Sequence, residues 1–455
     1  MLKIDGATWA EIAAIIFGAA SILAIYFLSR HLKGEKSNWK NSWGAPAALA
    51  VQLPFICYSF SGMETAPFTF LIVASAIIFL RALEQDRPRL LSWSSVILSL
   101  AYLTRPETPI LFLFNIVFLV IYGVFWKKRA MIPVYLCRHA ILFIAMAIIF
   151  SLWRYLYYGD FLPNTYYAKI GSYSSALLLR GLDYIWNFSQ LSFLILIIPL
   201  VLILKLREMK YQILYITGVV LFLSLAVAVE GGDHLALYRF AVPILPFLCL
   251  FYQEFSSGVV QSLFRSSLWS NLKPYLIVFL SLLISISSSG LYFVKASKHE
   301  MTEYQRARFE VDLAQRWSEF GKWLHQHYNP DRTVALSTIG AISFYSGLKA
   351  IDMVGLTDRH IAHRPIHTGG GYIGHEKYDN YYILRRAPDI IIVHHIVDWD
   401  FPITEGEYQK MLYFGAQQEL VEMPEFKNNY CFKTFPAGDK KFYAFYLRCS
   451  SVSAP

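Results

Sequence analysis

Long apolar runs recur along the first 294 residues of the chain and are separated by short polar loops. A bilayer core about 30 Å thick needs about 20 apolar residues in each helix that crosses it. The runs that approach this length lie near residues 10–28, 44–60, 66–83, 90–104, 108–125, 135–156, 185–204, 211–229, 239–253 and 274–293. The pattern predicts an α-helical polytopic membrane domain over residues 1–294, with nine or ten helices.

Lysine and arginine concentrate in every second loop, and cytoplasmic loops of membrane proteins carry such an excess. They are Arg30, Lys33, Lys36 and Lys40, then Arg81, Arg87 and Arg89, then Lys127, Lys128 and Arg129, then Lys205, Arg207 and Lys210, and last Arg265 and Lys273. We expect these loops to face the cytoplasm. The loops between them, and everything after the last span, are then expected on the outer face.

The pattern changes after about residue 294, where short apolar runs alternate with polar stretches. Residues 333–337, 349–352 and 389–393 are typical of buried strands, and a helix is predicted to begin near Ile339 and Gly340, between the first two. The sequence therefore predicts a separate soluble α/β domain over residues 295–455, outside the membrane.

A terminal hairpin is predicted over residues 428–449, with its turn near residues 436–439. It contains two of the five cysteines, Cys431 and Cys449. An oxidising compartment permits a disulfide, but a simple hairpin with this turn would not place the two residues directly opposite each other. The sequence therefore favours unbonded thiols but leaves open whether the two are bonded.

Composition agrees with a membrane protein. The chain is 56% hydrophobic and 16% charged, with a net charge of +9 and a mean hydropathy of +0.40. These values exclude an ordinary soluble enzyme. The positive charge belongs mostly to the predicted cytoplasmic loops, so it indicates contact with anionic lipid headgroups and not with nucleic acid.

Four polar clusters fall in the loops that are predicted to face outward: residues 61–65, 104–108, 158–169 and 230–239. A charge at the centre of a membrane helix costs about 2.5–3.5 kcal/mol, so charges at helix ends tend to face a wet cavity and a substrate. Because the clusters share one side of the membrane, the sequence predicts that they form one site.

The residue types in these clusters suit transfer of a sugar from a lipid phosphate. Arginine and lysine can hold a phosphate, and a carboxylate can take the proton from an attacking hydroxyl. Simpler interpretations remain open for single residues. Arg105 and Glu107 could form a structural ion pair, Asp160 and Asn164 could be turn residues, and residues 231–233 could be a loop.

The strings at residues 61–65, 105–107, 158–169, 231–233 with 239–240, and 352–358 resemble the mycobacterial terminal arabinofuranosyltransferase family and its bacterial relatives. These enzymes belong to the GT-C superfamily of membrane glycosyltransferases. The resemblance implies inverting transfer of a sugar, arabinofuranose among the candidates, from a polyprenyl-phosphate donor. The acceptor would be a cell-envelope glycan or glycolipid at the outer face of a bacterial inner membrane.

The resemblance also implies roles for individual residues. The catalytic candidates are Glu64 and Asp233. The substrate-binding candidates are Arg105, Glu107, Asp160, Asn164, Tyr166, Lys169, His234, Arg239, Asp352, Asp358 and Arg359. Among them, Arg105, Lys169 and Arg239 are expected to contact the phosphate. Asp160, Asn164 and Asp233 would position sugar hydroxyls or an optional divalent cation, and no cofactor is otherwise implied.

Relatives of this kind carry their principal acidic residue in an outer loop that follows a first helix, whereas Met1 here precedes what resembles the second helix. We therefore expect a first helix and a first outer loop upstream. Without them the chain would be a catalytically incomplete fragment that only binds lipid-linked sugar. The other alternative is a transporter or flippase for a lipid-linked sugar, although no internal repeat typical of transporters is visible.

Several predictions for the outer domain and the aromatic residues remain. Asp352 and Asp358 follow a predicted strand, and they could equally cap local structure. His360 and His363 have a spacing that suits a metal only on a helix with further ligands, so no metal site is expected. His394 and His395 are expected to point to opposite faces of a strand.

Four tyrosines of the third cluster are candidates for stacking on a sugar ring. They are Tyr157, Tyr158, Tyr166 and Tyr167. We expect at most two of them to do so, because most aromatic residues of a membrane protein face lipid or lie at the interface.

Overall fold

The computed structural model describes residues 5–34, 38–126, 129–170, 174–205, 210–295, 301–438 and 440–449. The chain forms two compact units. The helical unit comprises Met1–Phe161 and Leu179–Tyr304, and the sheet unit comprises Leu162–Leu178 and Gln305–Pro455. The segment 162–178 thus joins residues that lie far from it in the sequence. Four of the predicted cytoplasmic-loop residues, Lys36, Lys127, Lys128 and Arg207, lie outside the described residues.

The first thirteen α-helices are α1 (Gly6–Lys33), α2 (Gly44–Ala50), α3 (Leu53–Phe60), α4 (Thr65–Glu84), α5 (Pro88–Thr104), α6 (Thr108–Phe125), α7 (Ile132–Tyr158), α8 (Asn164–Lys169), α9 (Ser175–Leu191), α10 (Leu194–Lys205), α11 (Tyr211–Glu230), α12 (Leu245–Leu263) and α13 (Lys273–Val294). Proline occupies the first or second position of six of them, where its missing N–H costs no hydrogen bond. These are α3, α5, α6, α7, α12 and α13. Helices α7 and α11 end at Gly159 and Gly231, whose positive φ angles of 77° and 80° close the last turn.

Within the described residues, seven helices are long and apolar enough to cross a membrane. They are Gly6–Lys33, Thr65–Glu84, Thr108–Phe125, Arg129–Tyr158, Tyr211–Glu230, Ala236–Leu263 and Lys273–Val294. The pair Ser175–Leu191 and Leu194–Leu204, bent by 68°, would make an eighth. The sequence predicted nine or ten. The difference lies in the run 44–60, which forms two short helices, and in the run 90–104, where α5 has only 17 residues.

The run 44–60 is broken between Ala50, where α2 ends, and Leu53, where α3 begins. Pro54 has no N–H to donate to the Ala50 carbonyl and so cannot continue α2. It lies instead in the first turn of α3, where the missing N–H costs nothing. Serines of α13 satisfy the opened backbone. Ser285 Oγ donates to the Ala48 carbonyl at 2.6 Å, and Ser289 Oγ donates to the Val51 carbonyl at 2.8 Å. The hydropathy of this run therefore gives no sign of the break.

The sheet unit contains a six-stranded sheet. Its strands are β1 (Thr333–Leu336), β2 (Lys349–Asp352), β3 (Ile390–Ile392), β4 (Asp398–Trp399), β5 (Tyr430–Pro436) and β6 (Phe442–Arg448). The helices that follow α13 in the chain are α14 (Glu303–His327), α15 (Ala341–Ser346), α16 (Arg359–Ala362), α17 (Asn380–Arg385), α18 (Glu405–Lys410), α19 (Gly415–Glu422) and α20 (Pro424–Asn429). The strand order is β2-β1-β3-β6-β4, with β5 on the other edge of β6. Strands β1, β2 and β3 are parallel, and β6 is antiparallel to its partners.

Both faces of the sheet are covered by apolar side chains, which explains the continuous apolar strands. Along β1, Ala335 packs into one core, whereas Val334 and Leu336 pack into the other. All three predicted strands and the helix between the first two are present, so the α/β prediction for this part of the chain is confirmed. The predicted terminal hairpin is also present as β5 and β6.

Cys431 and Cys449 form a disulfide with a Cα–Cα distance of 5.2 Å, which is the less favoured of the two alternatives that the sequence left open. The register agrees with the sequence argument, since Cys431 lies opposite Leu447 and not opposite Cys449. However, β6 ends at Arg448. Cys449 is therefore free of the ladder and can reach Cys431 diagonally across the hairpin.

Candidate functional site

Five charged residues at helix ends converge in the helical unit, and we call them the helix-end cluster: Glu64, Arg105, Glu107, Asp233 and Arg239. Glu64 directly precedes α4, and Arg105 and Glu107 occupy the connection between α5 and α6. Asp233 follows α11, and Arg239 lies in the 3₁₀ segment Ala236–Ile244 before α12. Three of the four polar clusters predicted from the sequence thus contribute to one place.

Arg239 links two of these clusters. Its Nε lies 2.6 Å from Asp233 Oδ2, and its Nη1 lies 4.0 Å from Glu64 Oε1 and 3.8 Å from the Met63 sulfur. The Asp233 side chain is fully buried, whereas the Glu64 side chain is 37% exposed. Asp233 therefore holds the arginine in place, and Glu64 is the carboxylate that a ligand could reach.

Arg105 is only 3% exposed. Its Nε lies 2.5 Å from Glu107 Oε1, so the ion pair that the sequence suggested is present. The Arg105 guanidinium also lies over the Phe240 ring at 4.5 Å, and Arg239 lies over the same ring at 4.8 Å. Such cation–π contacts hold both cations beside one aromatic ring.

One donor of Arg105 has no acceptor. Its Nη1 is buried and makes no hydrogen bond to any group that the structure describes. A buried donor left unpaired costs about 1–3 kcal/mol, and a ligand oxygen that accepted from Nη1 would recover this cost. The atom therefore marks a position where an oxyanion would be stabilised.

Unusual backbone around residues 231–240 positions Asp233 and Arg239. Gly232 has φ +76°, and a Cβ there would lie 2.7 Å from the Tyr184 ring, so no other residue fits without a shift. Leu237 and Tyr238 also have positive φ angles, 58° and 53°. The Leu237 N–H donates to Glu303 Oε2 at 2.8 Å. Glu303 was not predicted from the sequence, because it lies 66 residues away from Leu237.

Two more predicted residues lie in the helical unit. His234 Nδ1 is 3.4 Å from Asp233 Oδ1, so the imidazole stands next to the helix-end cluster. Asp160 follows Gly159, the residue that ends α7. Tyr157 and Tyr158 lie at the same helix end, where the Tyr157 ring stacks on Trp153 at 5.8 Å.

The remaining candidates lie in the sheet unit. Asn164, Tyr166 and Lys169 belong to α8, and Asn164 Nδ2 donates to the Gly355 carbonyl at 2.8 Å. The Tyr167 ring stacks on His363 at 4.1 Å. The distinctive strings around residues 164 and 355 thus come together in space.

Asp352 shapes the loop that follows β2. Its Oδ1 accepts from the backbone N–H groups of Val354 and Gly355, and its Oδ2 accepts from the N–H and hydroxyl of Thr357. Burial raises the pKa of Asp352, although these four hydrogen bonds oppose the rise. Because both oxygens bind the loop itself, the capping interpretation of Asp352 describes its contacts.

Asp358 also caps local structure, since its Oδ1 accepts from the Ile361 N–H at the start of α16. Its Oδ2 accepts from the Tyr382 hydroxyl at 3.0 Å. The next residue, Arg359, is exposed at the surface. Sequence reasoning missed Tyr382 and its neighbour Asp379, although Asp379 before α17 has the form of a helix N-cap.

The histidines are engaged in other contacts. His360 Nε2 lies 2.9 Å from Asp379 Oδ2. His394 and His395 follow the end of β3, so the expectation that they point to opposite faces is wrong, and their rings stack at 4.6 Å. Burial and then the adjacent His394 lower the pKa of His395 to about 4. Among the described side chains, no three His, Cys, Asp or Glu residues are arranged to hold a metal ion.

Comparisons with known proteins give limited information. A family described as "Domain of unknown function (DUF8728)" matches residues 300–446. No curated protein matches the chain. The crystal structure of the Archaeoglobus fulgidus oligosaccharyltransferase in the apo form is similar to it, with a TM-score of 0.45, 12% identity, and coverage of 75% of this chain and 53% of that one. The same enzyme in complex with zinc and sulfate gives a TM-score of 0.39 and 13% identity, with coverage of 75% and 50%.

This chain therefore spans about half the length of the oligosaccharyltransferase that it resembles. At these scores and identities, neither likeness carries that enzyme's activity over to this chain.

Proposed function

We propose that this chain is a membrane glycosyltransferase of the GT-C type. It transfers a sugar, arabinofuranose among the candidates, from a polyprenyl-phosphate donor to a cell-envelope glycan or glycolipid, at the outer face of a bacterial plasma membrane. The helix-end cluster is the observation that carries this proposal. Carboxylates and guanidinium groups from three separate helix connections meet there, one carboxylate is accessible, and one guanidinium donor is unused.

In the proposed reaction, the acceptor hydroxyl attacks the anomeric carbon of the donor. The bond from that carbon to the acceptor oxygen forms, the bond to the phosphate oxygen breaks, and the hydroxyl proton passes to a carboxylate. Glu64 suits this role because its side chain is the exposed acid of the cluster. The leaving phosphate would accept from Arg105 Nη1.

The roles proposed for the two catalytic candidates therefore differ. Asp233 is buried and bound to Arg239, so we assign it a positioning role. Formal charges in the helix-end cluster sum to −1, because three carboxylates accompany two arginines. Lys169 belongs to the sheet unit, and its role as a phosphate ligand stays a prediction.

The test compares Glu64→Gln with Glu84→Gln in membranes that contain the full chain. These residues flank opposite ends of α4, and Glu84 is a 46% exposed side chain paired with His31, outside the helix-end cluster. Transfer is measured from radiolabelled polyprenyl-phosphate pentoses and hexoses, arabinofuranose included. Loss of a general base costs about 10²–10⁴-fold in rate. We expect that loss in kcat for Glu64→Gln and a normal rate for Glu84→Gln.

Arg105→Lys provides a second readout. Lysine keeps the charge but loses the planar fork and its fixed donor, so it is not equivalent at a site of this kind. We expect a higher KM for the donor and little change in the amount of folded protein. Equal rates for Glu64→Gln and Glu84→Gln, together with an unchanged donor KM for Arg105→Lys, would exclude the proposed site.

A lipid-linked sugar transporter is the second candidate, and the helix breaks favour it. The interruption between α2 and α3 and the 68° bend between α9 and α10 are discontinuities of the kind that transporters use at their binding sites. Reconstitution in liposomes with a polyprenyl-phosphate sugar separates the two functions. A transporter would move the lipid between leaflets and form no glycosylated product.

A further inference from the structure

Helices α16 and α17 of the sheet unit are joined by the aspartates that cap them, Asp358 and Asp379. Asp358 caps α16, and its Oδ2 also binds two residues at α17: it accepts from the Tyr382 hydroxyl at 3.0 Å and lies 3.7 Å from Arg386 Nη1. The carboxylate that starts one helix thus holds the side chains of the other.

Asp379 caps α17 and binds side chains at α16, just as Asp358 caps α16 and binds side chains at α17. It caps α17 by accepting from the Tyr382 N–H at 3.0 Å. Its Oδ2 lies 2.9 Å from His360 Nε2, on α16, and accepts a hydrogen bond from Arg364 Nη1, just beyond that helix. Burial alone would raise the pKa of Asp379, but the hydrogen bonds from His360, the Tyr382 N–H and Arg364 outweigh it and hold this pKa below its usual value.

The acids lie beneath and the cations lie at the surface. The Asp379 side chain is buried and that of Asp358 is only 11% exposed, whereas those of Arg364 and Arg386 are 40% and 47% exposed. The exposed Arg359 adds a third positive charge. The acids therefore lie inside, and the groups that reach the surface are cations. We call Arg359, His360, Arg364 and Arg386 the basic surface.

The cations of the basic surface are held in fixed positions. The Tyr382 ring stacks on His360 at 4.1 Å, and the Arg386 guanidinium lies 5.6 Å from the same ring while its Nη1 donates to the Tyr382 hydroxyl at 2.7 Å. Arg364 Nε is buried and has no acceptor among the described groups. A preorganised array of arginine donors loses little entropy when it binds a planar anion.

We propose that the basic surface binds the carboxylate or phosphate groups of an acidic glycan. This inference rests on the proposed function, in which the acidic glycan would be the acceptor of the transferred sugar. An anionic lipid headgroup offers similar chemistry, but membrane-surface sites use clusters of four to eight mobile lysines and arginines. Here a few arginines are immobilised by buried acids, which suits recognition of single carboxylates.

The test measures binding to the full chain in a neutral detergent by calorimetry. Tetragalacturonate is the acidic glycan probe, maltotetraose is its neutral counterpart, and glycerophosphoglycerol is the soluble headgroup of an anionic lipid. We expect tetragalacturonate to bind and maltotetraose not to bind. Loss of one charge-assisted hydrogen-bonding group lowers affinity about tenfold, so Arg364→Gln and Arg386→Gln should each show that loss, and Arg386→Lys a smaller one.

Arg332→Gln is the matched control. Arg332 lies in the same unit, its side chain is 39% exposed, and it binds Asp389 at 2.9 Å, so it reproduces the exposure and pairing of Arg364 away from the basic surface. We expect unchanged binding for Arg332→Gln. Thermal unfolding of each variant separates a loss of affinity from a loss of folding.

Glu64→Gln separates this proposal from the proposed function, since it should abolish transfer and leave tetragalacturonate binding unchanged. The proposal would be overturned by any of three results: tetragalacturonate that gives no heat of binding, maltotetraose or glycerophosphoglycerol that binds as tightly as tetragalacturonate, or an Arg332→Gln variant that loses as much affinity as Arg386→Gln.

Discussion

The helix-end cluster and the basic surface both pair arginine with aspartate, but they do so in opposite surroundings. In the helix-end cluster, the side chains of Arg239 and Asp233 are 11% and 0% exposed. On the basic surface, the acid is buried and the arginine reaches solvent. Water can therefore solvate Arg364 fully if its partner is removed, whereas it reaches only a small part of the Arg239 side chain. Removing one partner of a buried pair leaves an uncompensated charge.

The two sites also differ in how the chain builds them. The helix-end cluster joins residues 64, 105–107 and 233–239, which come from distant helix connections. The basic surface lies within residues 358–386, where two neighbouring short helices cap each other. The first site depends on the packing of the whole helical unit, and the second depends on local structure. The predictions below test this contrast.

Asp233→Asn should have the largest effect on stability. It leaves Arg239 buried without its main partner, and breaking a buried pair costs about 3–5 kcal/mol. We expect a large drop in the thermal unfolding midpoint of the full chain in detergent. The double variant Asp233→Asn with Arg239→Gln removes both charges and should recover part of the loss.

Asp331→Asn is the exposed control for this prediction. The Asp331 side chain is 84% exposed and pairs with Lys349 at 3.0 Å, and exposed pairs contribute about 0–1 kcal/mol. If Asp233→Asn cost no more than Asp331→Asn, the pairing in the helix-end cluster would not be a buried one.

The disulfide should give the next largest effect, confined to the sheet unit. Closing a loop of about 15 residues contributes about 3 kcal/mol in the chain-entropy model, and Cys431 and Cys449 are 18 residues apart. Because the β5–β6 ladder already closes this hairpin, we expect about 2–3 kcal/mol for Cys431→Ser with Cys449→Ser. Cys137→Ser, at an exposed free cysteine, is the control and should change nothing. If the double serine variant also lowered the rate of sugar transfer, the effect of the disulfide would not be confined to the sheet unit.

Much of the fold could be predicted because it depends on local pattern. Apolar runs of sufficient length predicted most of the membrane helices, and the apolar runs at 333–337, 349–352 and 389–393 predicted the strands that the structure shows as β1, β2 and β3. The break at Val51 and Gln52 could not be predicted from hydropathy, because the serines that satisfy it lie on α13, more than 200 residues away. The strand order could not be predicted for the same reason, since it depends on pairing between distant segments. The disulfide depends instead on where β6 ends, because only a residue beyond Arg448 can reach Cys431.

The candidate sites divide along similar lines. Charges in apolar surroundings are conspicuous, so Glu64, Arg105, Asp233 and Arg239 were all identified from the sequence. Asp379 lies in an ordinary polar stretch and gave no such signal, although it organises the basic surface. Residues whose charge conflicts with their environment are easy to predict, and residues that act through hydrogen-bond geometry are not.

Asp379→Asn should have the smallest effect, and its pH dependence is specific. The folded sheet unit holds the pKa of Asp379 below its usual value, so the ionised carboxylate stabilises the fold above the unfolded-state pKa of about 3.9. This contribution is lost as the pH falls through the lower folded-state pKa. At neutral pH we expect a cost of about 1 kcal/mol, because His360 and Arg364 can be solvated when their partner is lost. The difference in stability between the unsubstituted chain and the variant, measured by chemical unfolding, should close as the medium becomes strongly acidic. A cost as large as that of Asp233→Asn, or one that does not change with pH, would mean that the basic surface is as dependent on its buried acid as the helix-end cluster is.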